Sequence, residues 1–511
     1  MKPSATVAVI PFLLLHNAFA LTEYQELTNC FAPITTAFAG NGAASNSSVP
    51  EASDWIPSYE YSMATNVDLS NPHMAMADAL GNVYIADKAS HSILEVTTDG
   101  RIHTFAGTHA YPYTGPPPAY TPPPGFVDDG PAPAIALNLV ACNGLFVLPN
   151  GVVYIYDAGS HRIRRVGLDG MMTTVVNDPD GEIQPGDDAS RRYLPSGRGL
   201  WVSANEDLIY YTHEVPDYAA PIPVGVSISH PPLGGVVKKW TPTGGIQAIT
   251  AFPVTPTLSN LELINPGNID VNPITHKLYV CDRAENAPGG NSHSVVYRID
   301  AEATDPLTGT STKTIVAGLY GATGGGVIEG TPATTAYLFQ VRGISFTPNG
   351  GYFLCTHKGG QVLYVDTAGF IHIFINGKGT KDVNFYNSTF PLSIPVTNQL
   401  CQNQPRSVAV TPDGSVLVVS NDGGRVRKIQ NICPSPAPQI QIVETVAGPD
   451  RFHLTWDSLP GRTYIIERSP NLLPESWEVA SIVTAEDVAT EFFDPFVAGQ
   501  LREFYRISTP R

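Results

Sequence analysis

The sequence predicts an all-β fold, namely a six-bladed β-propeller closed by an N-terminal strand and followed by a small β-sandwich. The first observation is a phrase that occurs twice, at residues 81–94 and 151–164. Each copy alternates apolar and polar residues, turns, and alternates again, which is the pattern of short antiparallel strands. The second observation is the composition: 46 Gly, 46 Pro and only 15% charged residues suit short strands joined by turns. No amphipathic helix is evident.

The repeated phrase belongs to a unit that recurs six times with decreasing fidelity. The predicted inner strands begin near Ala75, Gly144, Gly199, Asn268, Gly343 and Ser407. A second apolar strand follows each of them, beginning near residues 83, 153, 208, 278, 352 and 416. Six units of four strands each predict six blades around a central channel.

The sixth unit lacks its fourth strand, because a Pro-rich linker at 433–438 stands where that strand is expected. Residues 34–40 read like the fourth strands at 102–107 and 314–318. We therefore expect an N-terminal strand to complete the sixth blade, which would leave no open sheet edge.

Two of the six cysteines flank this expected pairing. Cys30 precedes the N-terminal strand and Cys433 follows its partner, so an antiparallel arrangement brings them together and predicts a disulfide; two free thiols are the alternative. Among the others, Cys142, Cys281 and Cys355 lie in or beside predicted strands and are expected to be buried as small apolar side chains. The pairing state of these three and of Cys401 is left open.

The N-terminal 20 residues have the features of a cleaved signal peptide. Lys2 precedes an apolar stretch at 5–15, and Ala18 and Ala20 have the small-x-small spacing of a cleavage site. The predicted domains are therefore a signal peptide at 1–20, a propeller at 21–432, the linker at 433–438 and a β-sandwich at 439–511. We expect a secreted, periplasmic or cell-surface protein. No later apolar run is long enough to span a bilayer, and the net charge of −17 argues against nucleic acid as a partner.

The connections between strands differ sharply between the two faces of the predicted propeller. One face carries tight turns such as 149–151, 348–350 and 412–414, and the other carries long loops at 108–133, 213–235, 283–293, 319–340 and 378–405. Binding residues usually lie on long loops, so we assign the working surface to that face. The alternative is that these loops are tolerated insertions.

The mouth of the channel on the long-loop face is expected to be lined by the residue that begins each inner strand. In chain order these residues are His73, Asn143, Arg198, Gly267, Arg342 and Arg406. Three converging arginines could hold a carboxylate or sulfate group through paired hydrogen bonds. The alternative is that each arginine pairs with a carboxylate near the end of a second strand, the candidates being Asp87, Asp157, Asp282 and Asp422.

The Asp and His of the repeated phrase invite a catalytic or metal-binding interpretation. They occur as Asp87 with His91 and as Asp157 with His161. A single active site needs no duplicate, so we interpret the aspartates as acceptors for turn amides and the histidines as hairpin residues.

The units resemble NHL repeats, whose blades read as an inner strand, a turn, an aliphatic strand, Asp, His-Arg-Ile, Asp-Gly and Thr-Val-Ala-Gly. The segments at 128–137 and 329–338 are similar to the NHL linker, and the resemblance covers roughly residues 34–430. The C-terminal segment resembles the fibronectin-III-like domains of exported bacterial proteins. The resemblance implies a six-bladed propeller that is either a binding platform or, less often, an enzyme.

Enzymatic relatives of this kind use metal sites. The Pro72-His73 pair matches the start of a blade in peptidylglycine-amidating lyases, but the other channel-mouth residues are not histidines. A lactonase-like site needs carboxylates and amides around a divalent ion, to which Asn143 and Asn268 could contribute.

We predict an exported, non-catalytic, monomeric binding platform for an extracellular protein, peptide or glycan, with an anionic glycan or peptide favoured. No metal ligand and no cofactor is predicted, although a structural or channel cation such as calcium is left open. A lactonase-like or lyase-like enzyme with a divalent metal in the channel is the alternative.

Overall fold

The computed structural model describes residues 22–32, 37–42, 53–109, 129–137, 139, 144–160, 162–177, 197–216, 232–251, 261–283, 294–305, 309–321, 326–376, 405–421, 424–433, 451–458, 461–470, 476–487, 489–495 and 504–509. The signal peptide predicted at 1–20, the linker at 434–438 and most of each long loop lie outside these residues. No helix within the described ranges has the length and apolar character needed to cross a membrane.

The first two sheets are antiparallel and have the same plan. Sheet 1 contains β1 (Ser62–Met63), β2 (Pro72–Ala77), β3 (Val83–Asp87), β4 (Ser92–Val96) and β5 (Arg101–Ala106), in the order β1-β5-β4-β3-β2. Sheet 2 contains β6 (Gly130–Pro131), β7 (Leu145–Val147), β8 (Val153–Asp157), β9 (Arg162–Val166) and β10 (Met171–Asn177), in the order β6-β10-β9-β8-β7.

The next two sheets have four strands each, in chain order. Sheet 3 contains β11 (Gly197–Val202), β12 (Ile209–Pro216), β13 (Pro232–Thr241) and β14 (Gly245–Ala248). Sheet 4 contains β15 (Pro266–Val271), β16 (Leu278–Asp282), β17 (Val295–Ala301) and β18 (Thr312–Ala317).

Sheets 5 and 6 complete the larger part of the molecule. Sheet 5 contains β19 (Thr331–Pro332), β20 (Val341–Phe346), β21 (Tyr352–Thr356), β22 (Gln361–Val365) and β23 (Phe370–Ile375), in the order β19-β23-β22-β21-β20. Sheet 6 contains β24 (Pro405–Val410), β25 (Val416–Ser420) and β26 (Arg425–Ile429). All six predicted inner strands and all six predicted second strands are therefore present as strands.

The six inner strands contact one another in cyclic order. Contacts join β2 to β7, β7 to β11, β11 to β15, β15 to β20, β20 to β24, and β24 back to β2. Apolar clusters fill the spaces between consecutive sheets, and one of them lies between sheets 6 and 1, where Leu417 and Val419 pack with Ala75 and Ile85. Small antiparallel sheets whose inner strands surround a common centre are the arrangement of a β-propeller.

The outer edges of sheets 1, 2 and 5 are covered by the two-residue strands β1, β6 and β19. An acidic side chain just before each of these short strands accepts the backbone N–H of a neighbouring outer strand. The pairs are Glu60 with Thr104 at 3.1 Å, Asp129 with Thr174 at 2.9 Å, and Glu329 with Ile373 at 2.8 Å. The segments similar to the NHL linker thus protect sheet edges that would otherwise expose unpaired amides.

The N-terminal segment pairs with β26, the last strand of sheet 6. Phe31 bridges Asn431 and Ala39 bridges Val426, both in antiparallel sense. Residues 33–36, which include the start of the strand predicted at 34–40, lie outside the described part. Cys30 and Cys433 form the predicted disulfide, with Cα atoms 4.8 Å apart, and such a bond is typical of proteins that fold outside the reducing cytoplasm.

The sequence pattern did not predict the helix α1 (Glu23–Asn29). The Thr22 hydroxyl accepts the Gln25 amide while the Gln25 side chain accepts the Thr22 amide, a reciprocal cap that starts a helix too short to show periodicity. Glu23 anchors α1 to sheet 5 by accepting from the Tyr364 hydroxyl at 2.6 Å and the Thr367 hydroxyl at 2.5 Å.

The C-terminal region forms two small antiparallel sheets. Its strands are β27 (Arg451–Asp457), β28 (Thr463–Ser469), β29 (Glu478–Thr484), β30 (Ala489–Pro495) and β31 (Phe504–Ser508), with β27 paired to β30 and β28 lying between β29 and β31. Trp456, Tyr464, Ile466 and Ile507 form one shared apolar cluster. The five strands expected from the sequence are thus present.

Candidate functional site

In different sheets, the inner strand pairs with the second strand in the same register at its first residues. The residue before the channel-mouth position pairs with the last residue of the second strand in four sheets, and with His213 inside β12 in sheet 3. These pairs are Pro72 with Asp87, Gly197 with His213, Pro266 with Asp282, Val341 with Thr356, and Pro405 with Ser420. The same position therefore carries an aspartate in sheets 1 and 4 and a different residue in sheets 3, 5 and 6.

The aspartate of sheet 1 has a structural role. Asp87 is fully buried, and its Oδ2 accepts the Ser70 amide at 2.9 Å and the Ser90 hydroxyl at 3.0 Å. Burial raises the pKa of Asp87 to about 7, while the two hydrogen bonds lower it. The side chain therefore holds the segment that leads into β2, as predicted for an acceptor of loop amides.

The aspartates of sheets 2 and 4 also hold neighbouring structure. Asp282 accepts the amides of Ile264 at 3.0 Å and Asn265 at 2.7 Å, just before β15. Asp157 forms a fully buried ion pair with Arg164, Oδ2 to Nε 3.3 Å. The ion pair with Arg164 lies within sheet 2 and does not test the predicted alternative, in which a channel-mouth arginine pairs with Asp157; Asp422 lies outside the described residues.

The histidine of the repeated phrase joins two sheets. His91 has a left-handed backbone with φ of 49°, and its Nδ1 accepts the Leu139 amide at 3.0 Å. Burial, together with the nearby charge of Lys88, lowers the pKa of His91 to about 3, so the ring is neutral and suited to accept. This is the structural role predicted for His91; its counterpart His161 lies outside the described residues.

The channel-mouth residues occupy inner strands as predicted, and two of the arginines are close together. His73 and Arg342 are buried, Arg198 and Arg406 are half-buried, and Asn143 lies outside the described residues. Strands β20 and β24, which carry Arg342 and Arg406, are tightly packed. A Cβ added to Gly343 would lie 2.9 Å from the Val408 amide nitrogen, which explains why glycine follows Arg342.

His357 marks the point where the positive charges converge. It follows β21 directly, and its side chain is only 8% exposed. Burial lowers the pKa of His357 far below its ordinary value, and the charges of Arg342 and Arg406 lower it further. A hydrogen bond with the Asn421 side chain raises the pKa of His357, and the charge of Arg283 lowers it again. Three guanidinium groups from sheets 4, 5 and 6 therefore act on one neutral imidazole.

The backbone beside this cluster is strained. Gln340 has φ of 59°, a left-handed conformation that side-chain-bearing residues rarely adopt. Its carbonyl accepts the His357 amide at 2.8 Å, and its amide oxygen lies 3.3 Å from His357 Nδ1. Asn71, with φ of 72°, is the equivalent residue of sheet 1, and its side-chain oxygen accepts from Asn421 of sheet 6 at 3.1 Å.

Arg283 and His357 were missed as site residues by sequence reasoning. Each stands one position after the second strand, where sheet 1 has Lys88, and the three residues donate their amides to Asn265, Gln340 and Asn71, respectively. Register alone would have found them, because the residue after each second strand faces the segment that leads into the inner strand. Sequence reasoning followed only the inner strands.

The chemistry of the cluster favours binding over acid–base catalysis. A general base works best with a pKa near the operating pH, and the pKa of His357 is far lower. The nearby Cys355 thiol is buried, which raises its pKa to about 12, so it is not a thiolate nucleophile. Buried guanidinium groups, by contrast, are strong donors to carboxylate or sulfate oxygens.

Below the mouth, side chains meet across the centre. Asn268 of β15 lies 3.9 Å from the sulfur of Met74 of β2, two strands from sheets that are half the cyclic order apart. Within the described residues, no group of three or more His, Cys, Asp or Glu side chains is arranged to hold a metal ion. The contribution of Asn143 to a cation site stays a prediction. Cys281 and Cys355 are buried, as expected, and their thiols, whose pairing was left open, are free. Cys142 and Cys401 lie outside the described residues.

Comparison with known proteins finds solved structures of low sequence identity to this chain. No protein-family model matches the chain, and no curated protein matches it. A structural genomics protein of unknown function from Bacteroides thetaiotaomicron has 11% identity and a TM-score of 0.47, over 78% of this chain and 76% of that one.

Two other solved structures are of similarly low identity. An auxiliary nutrient binding protein from Bacteroides ovatus has 13% identity and a TM-score of 0.45, over 78% of this chain and 77% of that one. Virginiamycin B lyase from Staphylococcus aureus has 13% identity and a TM-score of 0.37, over 72% and 97%. Since these TM-scores lie below 0.5, the propeller arrangement rests on the strand order and contacts of this chain.

Proposed function

We propose that this protein is an exported binding platform that holds an anionic ligand at the channel mouth of a six-bladed NHL-type propeller, without catalysing a reaction. The observation that carries this proposal is the packing of β20 against β24, which places Arg342 and Arg406 on neighbouring inner strands beside the buried His357. Guanidinium groups on neighbouring strands can donate paired hydrogen bonds to a carboxylate or sulfate group.

Six blades with a closed ring are part of the same proposal. The cyclic contacts of the inner strands, the pairing of Ala39 with Val426 and the Cys30–Cys433 disulfide all support closure by the N-terminal segment. We further propose that the β-sandwich is fibronectin-III-like and begins near residue 439, and that the propeller of a monomer follows a signal peptide cleaved near Ala20.

A ligand screen tests the proposed function. Thermal unfolding of the full mature chain is measured with panels of anionic sugars, acidic peptides and sulfate, for wild type and for Arg342→Gln combined with Arg406→Gln. We expect at least one anion to raise the Tm of the wild type and to lose this effect in the double variant. Arg101→Gln is the matched control, because Arg101 lies on the exposed outer strand of sheet 1.

Two outcomes would contradict the proposal. Equal responses of wild type and double variant would remove the arginine cluster from the binding site. A stoichiometric transition metal in the purified protein, with loss of stability on chelation, would favour the alternative of a lactonase-like or lyase-like enzyme. Arg406→Lys keeps the positive charge but loses the planar fork, so it provides a gentler test if the double variant fails to fold.

A further inference from the structure

Sheet 6 contains a buried arginine whose charge is not balanced by a neighbouring side chain. Arg427 lies on β26 and is only 4% exposed. Its Nη1 atom is closed to solvent and has no hydrogen-bond partner, and no ion pair joins Arg427 to another residue in the described ranges. A charge taken out of water is costly unless a counter-charge and hydrogen bonds replace its hydration.

The surroundings of Arg427 are apolar. Residues directly opposite each other in an antiparallel sheet point to the same face, and Arg427 is opposite Val418. Val418 packs with Val362 and Ile375 of sheet 5. The guanidinium group therefore belongs to the face of sheet 6 that packs against sheet 5, where these neighbours supply no negative charge.

Register identifies Arg164 of sheet 2 as the equivalent residue. Arg164 is opposite Ile155, and Asp157 is the second residue after Ile155, at the end of β8. The Arg164 Nε lies 3.3 Å from Asp157 Oδ2, and its Nη1 donates to the Thr174 hydroxyl at 2.6 Å. In sheet 2, the buried guanidinium is therefore held by one carboxylate and one hydroxyl group.

The carboxylate partner is missing in sheet 6. The second residue after Val418 is Ser420, at the end of β25, so serine stands where sheet 2 has Asp157. The Ser420 side chain is fully buried, but a hydroxyl group has no negative charge and is smaller than a carboxylate. The exchange removes the counter-charge of the arginine and leaves room beside it.

The hydroxyl partner is missing as well. In sheet 2, Thr174 is two residues before Val176, which pairs with the residue just before the arginine. In sheet 6, the corresponding bridge joins Ala39 of the N-terminal segment to Val426. Ala37 is two residues before Ala39, and its side chain has no polar atom. Sheet 6 has thus kept the arginine of the repeat and lost both of its partners.

We propose that Arg427 binds a chloride ion at the place that the Asp157 carboxylate has in sheet 2. The ion supplies the missing negative charge and accepts charge-assisted hydrogen bonds from the guanidinium group, and the Ser420 hydroxyl can donate to it. The small space left by the exchange of aspartate for serine favours a monatomic ion over sulfate or an organic acid. This site is separate from the channel mouth, and it stabilises the sheet that the N-terminal segment completes.

Thermal unfolding of the full mature chain tests the ion. After exhaustive dialysis, the Tm is measured in sodium chloride and in sodium gluconate at equal ionic strength, because gluconate is too large for the site. We expect chloride at about ten times its Kd to raise the Tm of the wild type by about 2 °C relative to gluconate. A wild-type Tm that is the same in the two salts would overturn the proposal.

Two variants place the effect at Arg427. Ser420→Asp restores the carboxylate that sheet 2 has, so it should raise the Tm in gluconate and abolish the response to chloride. Arg427→Met removes the charge at similar volume and should also abolish the response. Arg101→Gln is the matched control, because the Arg101 side chain is 54% exposed, and it should respond to chloride as the wild type does. Equal responses of wild type, Ser420→Asp and Arg427→Met would show that chloride acts elsewhere.

Anomalous diffraction gives a direct second measurement with bromide, a heavier halide of similar size. Wild-type crystals grown in sodium bromide should show an anomalous peak within hydrogen-bond distance of the Arg427 guanidinium group. Crystals of Ser420→Asp should lack this peak, because the new carboxylate takes its place. Wild-type crystals without a peak at Arg427, or an unchanged peak in Ser420→Asp, would contradict the proposed site.

Discussion

Sheets 1 and 2 and sheets 5 and 6 all pair an inner strand with a second strand, but they hold the inner ends of these strands differently. In sheets 1 and 2, Asp87 and Asp157 are buried. Asp87 accepts a hydrogen bond from the Ser70 amide, and Asp157 forms an ion pair within its own sheet. In the last pair, Thr356 and Ser420 occupy the same register position, and Arg342 and Arg406 stand one residue beyond their partners. The comparison separates scaffold from candidate site: the aspartates of sheets 1 and 2 hold neighbouring structure, whereas sheets 5 and 6 have hydroxyl side chains at this position and arginines on the adjacent inner strands.

The two pairs of sheets also differ in how they are attached to their neighbours. His91 links sheet 1 to the segment before sheet 2 by a hydrogen bond to Leu139. Sheet 6 instead depends on the N-terminal segment, which lies about 400 residues away in the chain and is joined by the disulfide. Sheet 1 is therefore linked to a neighbouring segment by a hydrogen bond, whereas sheet 6 is linked to the N-terminal segment by bridges and a covalent bond.

Removing the disulfide should have the largest effect. Cys30→Ser with Cys433→Ser is expected to lower the free energy of unfolding by about 2–5 kcal/mol, because the bond closes a very long loop of the unfolded chain. Denaturant unfolding measures the change, and hydrogen exchange should show sheet 6 opening before sheet 1. Unchanged stability, or equal hydrogen exchange in sheets 1 and 6, would contradict the expected difference between these sheets.

Removing the scaffold acid should have the next largest effect. Asp87→Ala leaves the Ser70 amide and the Ser90 hydroxyl buried without their acceptor, which is expected to cost about 2–4 kcal/mol. Asp99→Ala is the control, because the Asp99 side chain is 62% exposed in a turn of the same sheet and its loss should cost much less. Equal losses in the two variants, measured by urea unfolding, would remove the structural role of Asp87.

The pH dependence of the free energy of unfolding tests the role of the Asp87 carboxyl group without removing its side chain. The pKa of Asp87 is raised from 3.8 to about 7, so the folded protein keeps this proton while the unfolded chain has already lost it. The contribution of Asp87 to stability is therefore fully present below pH 4 and is lost as the pH rises toward 7 and beyond.

Asp87→Asn should remove this contribution to the pH dependence, because an amide does not ionise. Its oxygen can still accept the hydrogen bonds of Ser70 and Ser90. Inside the window from about pH 4 to 7, the slopes of stability against pH should differ between variant and wild type by on the order of 1 kcal/mol per pH unit. Parallel curves from unfolding at a series of pH values would show that Asp87 ionises normally.

Changing the cationic cluster should have the smallest effect on stability and a specific spectroscopic effect. Arg406→Gln is expected to raise the pKa of His357, because the Arg406 charge lowers it in the wild type. Titration of the His357 ring by NMR measures the shift. Arg101→Gln should leave this pKa unchanged, and the same null result for Arg406→Gln would show that the two side chains do not interact.

Much of the fold could be predicted because it depends on local patterns. Alternating strands, tight turns and the order of the units are properties of short segments, so all six inner strands were found from their residues. The Cys30–Cys433 disulfide followed from one further step, the antiparallel pairing of the two chain ends. Helix α1 was missed, because seven residues with a reciprocal cap produce no apolar period.

The candidate site could be predicted only in part. Arg342 and Arg406 were found because they begin inner strands, and the structure brings their charges to bear on His357. Arg283 and His357 were missed, because sequence reasoning followed the inner strands and not the residue after each second strand. Arg198 occupies its expected strand, but its part in the site stays a prediction, as does that of His73 and Asn143.

By itself, the sequence determined the β-class, the repeated units and the positions of their turns, because these depend on periodicity and on the backbone preferences of Gly, Pro, Asn and Asp. Only the tertiary structure decided which side chains share an environment. Arg283, Arg342 and Arg406 come from three different sheets, and their convergence follows from how the inner strands pack around a centre. The same packing determines burial, and burial makes His357 a neutral acceptor and gives Asp87 a raised pKa, since a charge loses its hydration only in the assembled fold.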